Sequence, residues 1–175
     1  MEQRAEKNSQ SDSLYKIIPV KPEFLQRARG MGVDDQAQLV ERLIASGGEP
    51  CRDSLYRAKA GEELILASYC PFEIAGPYKE YGPIFILANE LDHSAISSSS
   101  SVSSDVAGLI ENHYLGEQFV LRAYSAQERI VDACLSSPAL VESDLHRLFM
   151  LDEVKFVLVR FAAYGCYACR IERAI

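Results

Sequence analysis

The stretch from Val154 to Arg173 is the longest β-rich run in the chain, and within it Phe156, Val157, Leu158, Val159 and Phe161 form an apolar run interrupted only by Arg160. β-Branched and aromatic residues fit a pleated surface, and apolar groups on both faces predict a strand buried on both sides, in the middle of a sheet. Gly165 then permits a turn that a residue with a Cβ resists, and Tyr167 to Glu172 return as a second strand. Val154 to Arg173 therefore reads as a C-terminal hairpin. Shorter runs of the same kind predict strands over Glu63–Tyr69, Ile84–Ala88 and Gln118–Tyr124. Leu14–Val20 reads as a short strand that Pro19 pushes to a sheet edge.

Other stretches carry helical spacing. Glu23–Arg29 predicts a helical turn. Asp34 and Asp35 are placed to cap a helix through Ile44, with Leu39, Val40, Leu43 and Ile44 on one face and Gly47-Gly48 closing it. Ser125-Ala126-Gln127-Glu128 has the capping-box pattern, which predicts a helix through Leu135 that buries Ile130, Val131 and Cys134. Another helix follows Ser137-Pro138, with Val141, Leu145, Leu148 and Phe149 on its apolar side. The expected fold class is α+β, a largely antiparallel sheet with a C-terminal hairpin, covered by about three helices. Residues 14–175 are expected to form a single domain. Residues 1–13 are polar and aperiodic, the composition of a disordered tail, and Ser94–Ser104 is a serine-rich tract expected to be a flexible surface loop.

Composition narrows the class. The 175 residues suit one domain, and 48% apolar with 25% charged residues can build a real core. A net charge of −7 argues against nucleic acid or an anionic membrane as partner. No apolar run approaches the ~20 residues of a membrane helix. The N-terminal stretch lacks the apolar centre of a signal peptide, so the expected location is cytoplasmic. Five cysteines at irregular spacing do not form a disulfide framework, and reduced thiols are expected.

Cys166 and Cys169 form a Cys-x-x-Cys pair, yet no helix follows whose dipole would activate a thiol, and residues three apart on a strand point to opposite faces. No metal and no cofactor are expected. The three histidines, His93, His113 and His146, make no constellation. What recurs is arginine within or beside apolar strands, at Arg52, Arg122 and Arg160. A guanidinium inside a sheet needs either a carboxylate partner or a ligand, because desolvating it unpaired costs several kcal/mol. Asp53, Glu63 and Glu172 are the candidate internal partners. If the arginines converge, they can grip a carboxylate or phosphate bidentately, and Arg52, Arg122, Arg160, Tyr78 and Cys166 are the candidate ligand-binding residues. The expected function is a binding module for a small anionic molecule. The alternatives are an enzyme using a Cys166 thiolate, or an interaction protein forming a homodimer.

The chain resembles a bacterial family known as domain of unknown function 1203. The resemblance is carried by Cys51-Arg52-Asp53-Ser54-Leu55, by Gly61-Glu62-Glu63-Leu64-Ile65-Leu66 with Tyr69, and by Pro77-Tyr78 with Tyr81-Gly82-Pro83-Ile84-Phe85. It continues in Leu121-Arg122-Ala123-Tyr124, Val159-Arg160, Gly165-Cys166 and Ile171-Glu172-Arg173. The serine tract departs from the pattern as a local insertion or divergent loop, and Cys169 is not part of it. The resemblance implies a small bacterial protein with no assigned activity, and it contributes no catalytic residue.

Overall fold

In chain order the elements are β1 (Tyr15–Ile18), α1 (Pro22–Gln26) running into a π-helical turn (Arg27–Met31), β2 (Glu41–Ile44), β3 (Pro50–Cys51), β4 (Tyr56–Arg57), β5 (Glu63–Tyr69) and β6 (Gly82–Leu87). They continue with α2 (Val106–Glu111), β7 (Phe119–Tyr124), β8 (Ile130–Ser136), α3 (Val141–Phe149), β9 (Phe156–Phe161) and β10 (Tyr167–Arg173). The structure is a computed structural model that describes residues 14–90 and 106–174. The expected tail over 1–13 and the serine-rich loop over 94–104 lie outside the described residues.

The strands form two five-stranded sheets, in the orders β1-β10-β9-β7-β8 and β2-β5-β6-β3-β4. The first is antiparallel throughout. The second is antiparallel except where β3 runs parallel to β6. The hairpin β9–β10 lies where the apolar run predicts it, with β9 as the middle strand of the first sheet and all six of its residues buried. Gly165, at φ 68°, makes the turn. β1 is an edge strand, as Pro19 suggests.

Alternation along β7 and β9 sorts the core into layers. Phe119, Leu121, Ala123, Val157, Val159 and Phe161 face α2 and α3, packing on Leu109, Leu145 and Leu148. Tyr124, Phe156 and Leu158 face the other way, onto Ile65, Ala67, Ile84 and Ile86 of the second sheet and Phe24 of α1. Each fully buried Val, Leu, Ile or Phe among them contributes roughly 1.5–3 kcal/mol. The order of layers is helices, sheet, sheet. The fold is α+β, but the expected sheet covered by about three helices is corrected: one face of the central sheet is covered by helices and the other mainly by a second sheet.

Two expected helices are absent. Between Asp34 and Ile44 the chain turns and then pairs as β2 with β5, Leu43 opposite Leu64. Asp34 Oδ1 accepts the backbone N–H of Gln36 and Gln38 at 2.9 and 3.0 Å, and its Oδ2 accepts that of Ser68 at 3.1 Å. Such local side-chain bonds compete with helix formation, and Ala37 is left-handed at φ 58°. Leu39 and Ile44, assigned to a buried face, are exposed.

The capping box at Ser125 is instead the β7–β8 turn. Ser125 Oγ accepts the N–H of Gln127 and Arg129 at 3.2 and 3.3 Å, and Ser125 N–H donates to the Arg129 carbonyl at 2.9 Å. Glu128 has φ 57°, which no helix interior tolerates. Ile130 to Ser136, with β-branched residues at its start, then pairs with β7 as an edge strand.

Candidate functional site

Strand register decides which arginines meet. On adjacent antiparallel strands Arg122 pairs with Leu158, and Val120 pairs with Arg160. Arg122 and Arg160 thus share the face opposite the helices and stand on a diagonal, where Cα atoms are about 7–8 Å apart. Tyr124, two residues beyond Arg122 on the same face, has its hydroxyl raised above the ordinary value by burial, while a hydrogen bond from Arg122 and its charge pull the other way. No carboxylate lies within ion-pair distance of Arg122 among the described residues.

Arg160 is 6% exposed. Its Nη1 donates to the Gly165 carbonyl at 2.9 Å, so the turn glycine and the strand arginine hold one another in place. Nη2 forms an ion pair with Glu80 of the β5–β6 loop. Burial lowers the pKa of the guanidinium, with the nearby Cys166 and Tyr167 opposing.

The β5–β6 loop roofs this face. Phe72 packs edge-on against Tyr124, with ring centroids 5.4 Å apart. The Glu128 carboxylate accepts the backbone N–H groups of Glu73 and Ile74, both at 2.9 Å, which clasps the loop to the β7–β8 turn. Tyr78 follows, its ring centroid 5.9 Å from the Arg129 guanidinium and its hydroxyl within electrostatic reach of Tyr124. A cavity of about 210 Å³ opens between loop and turn, lined by Ile74, Gly76, Pro77, Lys79, Gln127 and Arg129 among others. Lys79 and Arg129 bring two cations to this cavity, and the Glu128 carboxylate lines it with them.

Arg52 is elsewhere. It leaves the end of β3 and is 3% exposed, with Nε donating to the Tyr167 carbonyl at 2.8 Å and Nη1 to the Pro50 carbonyl at 2.5 Å. Its guanidinium lies 5.0 Å from the centroid of Phe161, a ring on the helix-covered side of the sheet. Burial lowers its pKa, and Tyr114, Cys166, Cys51 and Tyr167 oppose that shift. Among the described residues no carboxylate is within ion-pair distance of Arg52, and carbonyl oxygens with an aromatic face serve in its place.

Cys166 sits half-buried at the hairpin turn, its Sγ 3.7 Å from the Tyr164 carbonyl, with the charges of both Arg52 and Arg160 reaching it. Cys169 is on the other side of the register irregularity between Tyr167 and Cys169, inside the helix-facing core, and burial pushes its thiol up to about 12. All five cysteines are free thiols. Among the described residues no cluster of three histidine, cysteine or carboxylate side chains could hold a metal ion. No described helix is long and apolar enough to cross a membrane.

The structure thus sets Arg122 and Arg160 on one sheet face, carries Tyr78 on the β5–β6 loop, and holds Arg52 against Phe161 at the other side of the hairpin end. The carboxylates suggested by sequence serve other groups: Asp53 pairs with Arg29 at 2.5 Å, Glu172 with Arg170 at 2.8 Å, and Glu63 accepts from Asn89 at 3.4 Å. Glu80 and Glu128 escape a reading of the sequence, because a carboxylate in a loop gives no sign of which strand it will reach.

The family described as Protein of unknown function (DUF1203) matches residues 48–173. The match takes in β3 to β10, and with them Arg52, Tyr78, Glu80, Arg122, Arg160 and Cys166, while β1, α1 and β2 precede it. No curated protein and no solved structure matches the chain.

Proposed function

The chain belongs to the DUF1203 family, and from that premise we propose that it is a binding module for a small anion, held where Arg122 and Arg160 share a sheet face beneath Tyr78. The observation that supports this reading is the diagonal placement of two guanidiniums on the middle strands of a sheet, the buried one paired, among the described residues, with a carboxylate of a loop. A purely structural arginine gains most from a partner fixed on a neighbouring strand, whereas Glu80 reaches Arg160 from a loop with its own side chain 43% exposed. Two planar donors at this spacing suit an oxyanion, and Tyr78 and Tyr124 add hydroxyl groups beside them.

Isothermal titration with acetate, succinate and inorganic phosphate tests the reading. At least one is expected to bind, and Arg160→Ala or Arg122→Ala is expected to weaken that binding by about tenfold or more, the loss of one charged hydrogen bond. Binding unchanged in Arg160→Ala would reject the proposal.

A second reading is supported by the place of Cys166, half-buried at the hairpin turn, where its sulfur would serve as nucleophile. Its signature is alkylation of Cys166 at neutral pH that slows in Arg160→Met and in Arg52→Met. Equal rates in wild type and both variants would exclude it.

A further inference from the structure

Arg160 uses Nη1 for the Gly165 carbonyl. Nη2 pairs with Glu80 Oε1, whereas the buried Nε makes no hydrogen bond among the described residues. Nε and Nη2 form one edge of the guanidinium, and that edge is the one whose two parallel donors match the two oxygens of a planar carboxylate. One donor of that edge, Nη2, is thus taken by Glu80, and the other, Nε, is left for a second oxygen.

The two partners are held differently. Arg160 lies on the middle strand with a side chain 7% exposed, whereas the Glu80 side chain is 43% exposed and belongs to the irregular segment before β6. Its neighbour Tyr81 is also exposed. A carboxylate tethered in this way sits at high effective concentration, yet it leaves with a local rearrangement of the loop and no loss of core packing.

We infer that Glu80 is a built-in competitor for this site, and that the ligand is a small carboxylate, dicarboxylates preferred, which displaces Glu80 and takes the Nε–Nη2 edge of Arg160. The second carboxylate of such a ligand meets Arg122 across the diagonal. This inference rests on the anion-binding reading above and adds to it the ligand class and a mechanism of displacement. Apparent affinity in the wild-type protein is then the intrinsic affinity reduced by the fraction of molecules in which Glu80 has left.

The test is calorimetric titration of succinate, acetate and inorganic phosphate into wild type, Glu80→Gln and Arg160→Ala. Succinate is expected to bind Glu80→Gln about tenfold more tightly than wild type, to exceed both acetate and phosphate, and to lose its binding in Arg160→Ala. Equal succinate affinity in wild type and Glu80→Gln, with binding lost in Arg160→Ala, would overturn the competitor while leaving the anion site standing. Binding indifferent to Arg160 would overturn both. Phosphate bound more tightly than succinate would overturn the ligand class. Amide hydrogen exchange on the wild-type protein provides a second measurement that does not depend on the folding of any variant. With saturating succinate the amides of residues 79–82 are expected to exchange faster, and unchanged exchange there would overturn displacement of Glu80.

Discussion

Arg52 Nε donates a 2.8 Å hydrogen bond to the Tyr167 carbonyl, although 115 positions separate the two residues. The bond ties the end of β3 in one sheet to the start of β10 in the other, and the same guanidinium also reaches the Pro50 carbonyl at 2.5 Å. Lysine cannot reproduce this fork, since one ammonium on a flexible stem does not span both carbonyls and cover the Phe161 face. Arg52→Lys is expected to lower the unfolding free energy by about 2 kcal/mol. Urea denaturation checks it, and a midpoint within error of wild type would show that the fork is dispensable.

Much of this architecture is legible in the chain because its causes are local. Phe156 to Val159 is apolar on alternate and intervening positions alike, so a strand covered on both sides follows from composition. Where the sequence misleads, a side chain is serving a distant backbone. Asp34 reads as a helix cap until Ser68 comes within reach, and Glu128 reads as the closing half of a capping box until the N–H groups of Glu73 and Ile74 arrive from another loop. The candidate site divides in the same way. Arginines inside apolar strands are visible as anomalies, but the diagonal between Arg122 and Arg160 depends on the β7–β9 register, and the partner of Arg160 depends on the path of a loop.

Glu128 combines a left-handed backbone, at φ 57°, with a carboxylate that accepts two backbone N–H groups at 2.9 Å. The strain and the bonds can be separated by substitution. Glu128→Ala keeps the strain and loses both bonds, for an expected cost of about 2–4 kcal/mol. Glu128→Gly loses the same bonds but relieves the backbone, so it is expected to be about 1 kcal/mol less harmful. Parallel denaturation curves settle the order, and alanine equal to or milder than glycine would show that the φ angle carries no cost.

Gly165 turns the central hairpin at φ 68°, with nothing within 4 Å of where a Cβ would sit. The position is restricted by conformation and not by space. Gly165→Ala is therefore expected to cost about 1–2 kcal/mol, and Gly165→Asn less, because asparagine tolerates the left-handed region better. Equal loss in the two variants, read from urea midpoints, would point to crowding instead.

Buried thiols give the stability a definite dependence on alkaline pH. Burial pushes Cys51 and Cys169 up to about 12 from an ordinary thiol value near 9, with the Asp53 and Glu62 carboxylates adding to the shift at Cys51. A raised pKa means that the folded chain holds protons the unfolded chain has already released. The contribution is therefore fully present below the unfolded pKa and is lost as pH climbs from about 9 towards about 12. Each proton retained only by the folded state removes about 1.4 kcal/mol of stability per pH unit across that window. The hydroxyls of Tyr114 and Tyr167, raised chiefly by burial, act in the same direction once unfolded tyrosines ionise near pH ~10. Urea midpoints are expected to hold level from about pH 7 to about pH 8.5 with respect to these groups, and then to fall. In the double variant Cys51→Ala, Cys169→Ala the neutral-pH stability is lower, since two packed sulfurs are gone, but the fall just above pH ~9 is expected to be shallower. An identical slope in wild type and the double variant would show that the two thiols ionise alike in the folded and unfolded chain.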